Sequence, residues 1–233
     1  MINNIHNPIL VTGAERSGST IIAKIIQICG AFTGETTTML ENVGIRQQVN
    51  SYYDQLQIPV QGQFPLPDTK QLLIPTQWKA GIDEILGGGG YDGRRPWMYK
   101  NHRICQIWPV WNYAYPSARW IIVRRRSGDI VQSCIKTNFM QAFSEPIRQE
   151  AVGANNENEA WIWWVREHEK LFVEMIQAGV NCKVVWPERM VNGDYAQIYE
   201  MLEWLGLRWN DGIINKIDPM LWKSRKREQT WRE

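Results

Sequence analysis

An α/β fold, with a central parallel sheet flanked by helices on both faces, is predicted for this 233-residue chain by three observations. Short β-branched runs alternate along the sequence with longer segments whose apolar residues recur at helical spacing. The short runs are apolar on both faces, as strands of a buried parallel sheet are. The first run also enters the first helical segment through a glycine-bearing turn, VTGAERSGST at residues 11–20, which is how a phosphate cradle is built. In such three-layer sheets ligands bind beyond the carboxyl ends of the strands.

Taken in order, residues 9–13 read as a buried strand and 18–29 as a helix carrying Ile21, Ile22, Ile25 and Ile26. Residues 31–38 read as a loop and 39–57 as helical. The stretch 59–75 holds four prolines and reads as a surface loop. A short helix is expected over 77–86, broken by the run Gly87 to Gly90, because consecutive glycines hold regular structure poorly. Residues 97–100 (WMYK) suggest a strand, and 104–114 a helix interrupted at Pro109. The clearest second strand is 118–124 (ARWIIVR). A helix over 127–138 follows, with Ser127 as its N-cap. A long helix covers 156–178, a strand 182–186, and a last helix 193–205, with Gly206 where a helix C-terminus favours glycine.

Composition limits the function classes. The chain is 44% hydrophobic and 21% charged, the balance of a soluble globular protein, and its length is most simply one domain, 1–233, with a basic tail from about 216. A net charge of +2 argues against nucleic-acid binding through bulk charge, while leaving room for a local anion site. No apolar run is long enough to span a membrane, and the first residues lack the charged and apolar regions of a signal peptide, so a cytoplasmic protein is expected. Cys29, Cys105, Cys134 and Cys182 lack metal-like spacing and read as free thiols of a reducing compartment. The thirteen tryptophans read mostly as core packing, with an aromatic pocket as the other use.

The turn at 13–20 can be set against the nucleotide P-loop, G-x-x-x-x-G-K-[ST]. Gly13 and Gly18 have the required separation, but Ser19 stands at the lysine position and Arg16 places a cation inside the loop instead. Backbone N–H groups from Arg16 to Thr20 can still meet an anion at the helix N-terminus. Phosphoryl transfer by P-loop enzymes draws on Mg²⁺ held partly by an acidic residue at a strand end. Here the strand ending at Val123 runs into Arg124, Arg125 and Arg126, which suits a phosphate and opposes a metal site, so no metal is expected.

At this point the sequence resembles the sulfotransferases that use 3′-phosphoadenosine 5′-phosphosulfate (PAPS). Their 5′-phosphosulfate loop reads roughly P-[RK]-S-G-T-T, and Glu15-Arg16-Ser17-Gly18-Ser19-Thr20 follows it with Glu for Pro and Ser for the first Thr. Their 3′-phosphate motif reads roughly R-x-x-x-D-x-x-x-S after a strand, and Arg125, Asp129 and Ser133 match all three positions. By this resemblance Arg16, Ser17, Gly18, Ser19 and Thr20 bind the 5′ side of PAPS, and Arg125 and Ser133 hold the 3′-phosphate. Tyr99-Lys100-Asn101-His102 resembles the family's K-T-H step, which implies that Lys100 assists transfer and His102 takes the acceptor's proton. A histidine suits that task because its ordinary pKa lies near working pH. Glu35, in Thr33-Gly34-Glu35-Thr36, resembles the glutamate base of another branch of the family, so both candidates for the base stand. Glu188 would be structural. The tail Lys223-Ser224-Arg225-Lys226-Arg227 is a candidate cofactor clamp or a solvated tail. The expected reaction is metal-independent in-line transfer of a sulfuryl group from PAPS to a hydroxyl, less readily an amine, of a small-molecule, sugar or peptide acceptor. A small-molecule kinase and a non-catalytic nucleotide- or anion-binding protein are the alternatives.

Overall fold

The computed structural model describes residues 7–59, 62–137 and 139–213; the basic tail lies outside them. Four strands, β1 (Ile9–Thr12), β2 (Met98–Lys100), β3 (Arg119–Val123) and β4 (Cys182–Val185), form one sheet in the order β2-β1-β3-β4, every pairing parallel. The register sets Val11 opposite Lys100 on one side and Ile121 on the other. Connections leave β1 and β3 in opposite directions along the sheet. The crevice beyond their carboxyl ends is therefore the topological switch point, where such sheets take ligands.

Both faces are covered, as the two-sided apolar strands predicted. Ile9 and Val11 of β1, with Ile121 and Val123 of β3, pack under α1 (Ser19–Ile28) and α9 (Ala196–Trp204). Leu10, Tyr99, Trp120 and Ile122 face the other way, against α2 (Val43–Gln55), α3 (Trp78–Gly88) and α4 (Trp108–Ala114). A third cluster joins α5 (Ser127–Ile135) to α7 (Glu157–Gln177) through Val131, Cys134, Trp161 and Trp164, and includes Ala14 of the first loop. α7 begins at Asn156, whose side chain accepts from the Glu159 N–H at 2.9 Å, a capping arrangement that satisfies a first-turn amide. The tryptophans mostly serve the core: Trp97, Trp111, Trp120, Trp161 and Trp164 are fully buried, several in edge-on pairs. Of the four cysteines, all free thiols, Cys105 and Cys134 are buried, whereas Cys29 and Cys182 are partly exposed.

Several local expectations need correction. α3 runs through Gly87 and Gly88 because Leu86 anchors it in the core. It closes only where Gly90, at φ 81°, lets the Tyr91 N–H reach the Leu86 carbonyl at 2.9 Å. Pro109 does not interrupt a helix. It sits in the first turn of α4, where a missing N–H costs nothing, and a separate 3-10 helix (His102–Cys105) precedes it. Ser127 is the first helical residue of α5 and makes no capping bond; Arg126 holds the cap position. Two short helices, α6 (Pro146–Glu150) and α8 (Pro187–Val191), were not expected. Gly206 does terminate the last helix, at φ 67°, with the Leu207 N–H bonded to the Leu202 carbonyl.

Candidate functional site

The first loop leaves β1 at Gly13, and the close approach of β3 explains that glycine. A Cβ there would run into the Val123 carbonyl oxygen and come within 2.6 Å of Ser17 Oγ. The chain then turns through Arg16, a non-glycine residue at φ 69°. That conformation costs an L-residue about 1–2 kcal/mol, so the surroundings must hold it. They do so from both ends: Arg16 Nε donates to Ser133 Oγ at 2.9 Å, and Arg125 Nη1 donates to the Arg16 carbonyl at 2.9 Å. Gly18, at φ 93°, caps α1, and Ser19 and Thr20 begin it, so their first-turn amides have no acceptor inside the helix. Ser17 is fully buried, and its hydroxyl has no hydrogen-bond partner among the described residues.

The three consecutive arginines separate by partner. Arg124 pairs with Glu169 at 2.5 Å and lies over the Trp186 ring. Arg126 pairs with Glu188 at 3.4 Å, which fits a structural part for that glutamate. Arg125 turns to the loop, and burial lowers its pKa below the usual guanidinium value. The motif Arg125-x-x-x-Asp129-x-x-x-Ser133 thus reaches the first loop with its first and last members. Asp129 lies in the first turn of α5, a favourable place for a carboxylate beside a helix dipole.

At the end of β2 the sheet continues one bond further, from the Asn101 N–H to the Val11 carbonyl, and Asn101 Oδ1 then caps the 3-10 helix at Arg103 N–H. This fixes Lys100 and His102 on either side of the turn. Lys100 is buried, and its Nζ donates to Glu41 Oε1 at 3.4 Å; Arg46 Nε sits 3.2 Å from the other Glu41 oxygen. His102 Nε2 lies 3.4 Å from Glu15 Oε2. Burial pushes the Glu15 carboxyl up to about 7, against the opposing pull of Lys100, Arg16 and Arg103. Glu15 therefore lies where the fields of the first loop and of the β2 end overlap.

Arg16, Arg125 and Ser133 are brought together, as are Lys100 and His102. Glu35 is exposed, and it is Glu41 that meets Lys100. Sequence reasoning missed Glu41 and Glu15 as site residues. A signal for Glu41 existed in its neighbour Asn42, an N-cap residue type: Asn42 accepts from the Ile45 N–H at 2.9 Å and donates to the Thr33 carbonyl at 2.8 Å, which locks the turn carrying Glu41. Among the described residues no group of three or more His, Cys, Asp or Glu side chains could hold a metal ion, and no helix is long and apolar enough to cross a membrane.

No protein-family model and no curated protein matches the chain. Solved structures do. The sulfotransferase STF9 of Mycobacterium avium is similar over 95% of this chain and 69% of its own, with a TM-score of 0.58 and 12% identity. The sulfotransferase domain of the Synechococcus PCC 7002 olefin synthase is similar over 96% of this chain and 89% of its own, with a TM-score of 0.56 and 12% identity. The central parallel sheet and the helices on both faces are those of the sulfotransferase fold.

Proposed function

We propose that this protein is a sulfotransferase that moves a sulfuryl group from PAPS to a hydroxyl, less readily an amine, of a small-molecule, sugar or peptide acceptor. One observation carries this reading. Arg16 and Ser133, 117 positions apart in the chain, are hydrogen-bonded, and Arg125 is bonded to the carbonyl of the same Arg16. A 5′-phosphosulfate loop and a 3′-phosphate motif that serve one bisphosphorylated nucleotide must meet in this way at the switch point.

The residues fit such a donor. The buried, unpartnered Ser17 hydroxyl and the first amides of α1 supply donors to its 5′ side, with Ser19 and Thr20 adding hydroxyls. Arg125 and Ser133 supply a forked cation and a hydroxyl for the 3′-phosphate. PAPS contributes an activated sulfuryl group with a phosphate leaving group. The side chains do the rest. Arg16 stabilises charge that develops on the sulfuryl and bridging oxygens, where a single such donor is worth about 2.7–4 kcal/mol. Lys100 neutralises the transferring group from the β2 side. His102 receives the acceptor's proton on its imidazole. Glu35, on the surface, serves acceptor binding in this reading and leaves the base to His102. The arginines at the end of β3 favour chemistry without a metal. The free thiols fit a cytoplasmic setting.

The test is transfer itself. PAPS is offered with a mixture of phenols, sugars and tyrosine peptides in the presence of EDTA, and products are read by mass spectrometry. The expected result is an acceptor that gains one SO₃ together with release of 3′-phosphoadenosine 5′-phosphate. Magnesium-dependent phosphorylation of the same mixture from ATP, with no sulfated product, would replace this reading with the kinase.

A further inference from the structure

Glu15 is the residue at which this chain departs from the sulfotransferase loop pattern, which has proline there. A carboxylate in a loop built for an anion is costly: it repels the ligand and loses hydration. Yet Glu15 is largely buried, its Oε2 has no hydrogen-bond partner among the described residues, and the nearest ionisable nitrogen to that oxygen is His102 Nε2 at 3.4 Å. The other charged groups that act on it are Lys100 from β2, Arg16 from its own loop, Arg103 from the 3-10 helix and Glu41 from the turn before α2. Three of these four are cations. They favour the ionised form of the carboxyl in a place where burial opposes it.

We propose that Glu15 is the positioning residue for His102, holding the imidazole by its Nε2 edge and balancing the charge that the ring acquires when it takes the acceptor's proton. This deepens the sulfotransferase reading and rests on it for the identity of the reaction. In the step, the acceptor oxygen forms its bond to sulfur and its proton passes to the His102 imidazole. The bond from sulfur to the 5′-phosphate oxygen breaks, and its electron pair leaves with that oxygen. With Glu15 ionised, the ring's Nε2–H points at Glu15 Oε2 throughout and the acceptor's proton arrives at the other ring nitrogen, so the cation forms beside an anion already in place. The carboxylate's part is that of the aspartate in a Ser-His-Asp triad: it orients the ring and stabilises its protonated form without touching the substrate. The His102 backbone is held in place as well, because its carbonyl accepts from Thr12 Oγ1 at 3.3 Å and from Cys105 Sγ at 3.0 Å.

The experiment is an NMR pH titration of the histidine ring signals, which three histidines keep resolvable, in wild type and Glu15→Gln. The His102 midpoint is expected to fall by about one pH unit in the variant, as it must when a neighbouring carboxylate is removed. The His168 signal, which belongs to a ring buried between Trp164 and Gln106, stays where it was. Kinetically, kcat falls by about 10²-fold with a flattened pH profile, while the acceptor KM stays near wild type and the affinity for 3′-phosphoadenosine 5′-phosphate does not fall. An unchanged His102 midpoint in Glu15→Gln overturns the pairing. If the variant does not fold, the wild type decides: the Glu15 carboxyl carbon and the His102 ring must share inflections, and independent inflections overturn the pairing equally. Shared inflections in a wild type that binds no 3′-phosphoadenosine 5′-phosphate would instead leave the pair standing and remove the sulfotransferase reading.

Discussion

Around the first loop Arg16 and Arg125 are bonded to a hydroxyl and a backbone carbonyl; at the end of β2 Lys100 and His102 face carboxylates. Arg16 donates to a hydroxyl and Arg125 to a backbone carbonyl, bonds that aim a guanidinium without neutralising it. Lys100 meets Glu41, and His102 meets Glu15. In the first region the bonds of Arg16 and Arg125 set both guanidiniums beside the loop, on the side where the proposed anion would enter. The second is close to charge balance, and a balanced, buried set of groups is what moving a proton needs, because the charge created at each stage has a partner waiting. One loop serves both regions: Arg16 looks to the anion side and Glu15, its neighbour in sequence, to the proton side.

If that contrast is right, the largest effect comes from removing the anion-side cation. Arg16→Ala is expected to lower turnover by about 10²–10³-fold, and initial rates with a sulfated acceptor read it directly. Near-normal turnover would show that Arg16 serves only the loop's shape. The next effect concerns the loop's seat on the sheet. Gly13→Ala should lower unfolding free energy by about 3 kcal/mol in urea titrations, because the added Cβ meets the backbone of β3, which cannot give way. Gly128→Ala is the comparison: a Cβ there meets nothing within 4 Å, so no such loss should occur.

The proton side should reveal itself through pH. The folded-state pKa of Glu15 is raised from 4.5 to about 7, chiefly by burial. Below 4.5 both folded and unfolded forms are protonated. Between 4.5 and 7 the unfolded chain ionises first, so stability falls as pH rises through that window. Glu15→Gln removes the penalty. Its stability relative to wild type should rise by on the order of 3 kcal/mol between pH 4 and pH 8, and a constant difference across that range would contradict the buried carboxyl. The smallest effect belongs to Arg126. Arg126 itself is mostly solvent-exposed, although Glu188 is not, so Arg126→Ala should change stability by only about 0–1 kcal/mol and leave nucleotide binding intact. A large loss of binding there would erase the distinction between Arg125 and its neighbours.

What the sequence revealed divides along the same line. The anion side is written in two contiguous stretches, 11–20 and 124–133, and their resemblance to two motifs of one family is what joined Arg16, Arg125 and Ser133 in one expected site. The proton side is assembled from positions far apart, and its carboxylates are recognisable only by burial. Glu35 and Glu41 sit in one loop and look alike as letters; packing exposes the first and turns the second to Lys100. The same reason explains the helix errors. Gly87 and Gly88 stay helical because Leu86 is buried, a tertiary effect that outweighs glycine's intrinsic preference.

The central claim is that one site reads both phosphates of a 3′-phosphorylated adenine nucleotide through Arg16, Arg125 and Ser133. Calorimetry with 3′-phosphoadenosine 5′-phosphate and with ATP, on wild type and Arg125→Ala, tests it most directly. We expect magnesium-free binding of the 3′-phosphorylated nucleotide by wild type, weakened by roughly 10–100-fold in the variant, the loss of one charge-assisted contact. Preferential binding of ATP with magnesium, unaffected by Arg125→Ala, would contradict it.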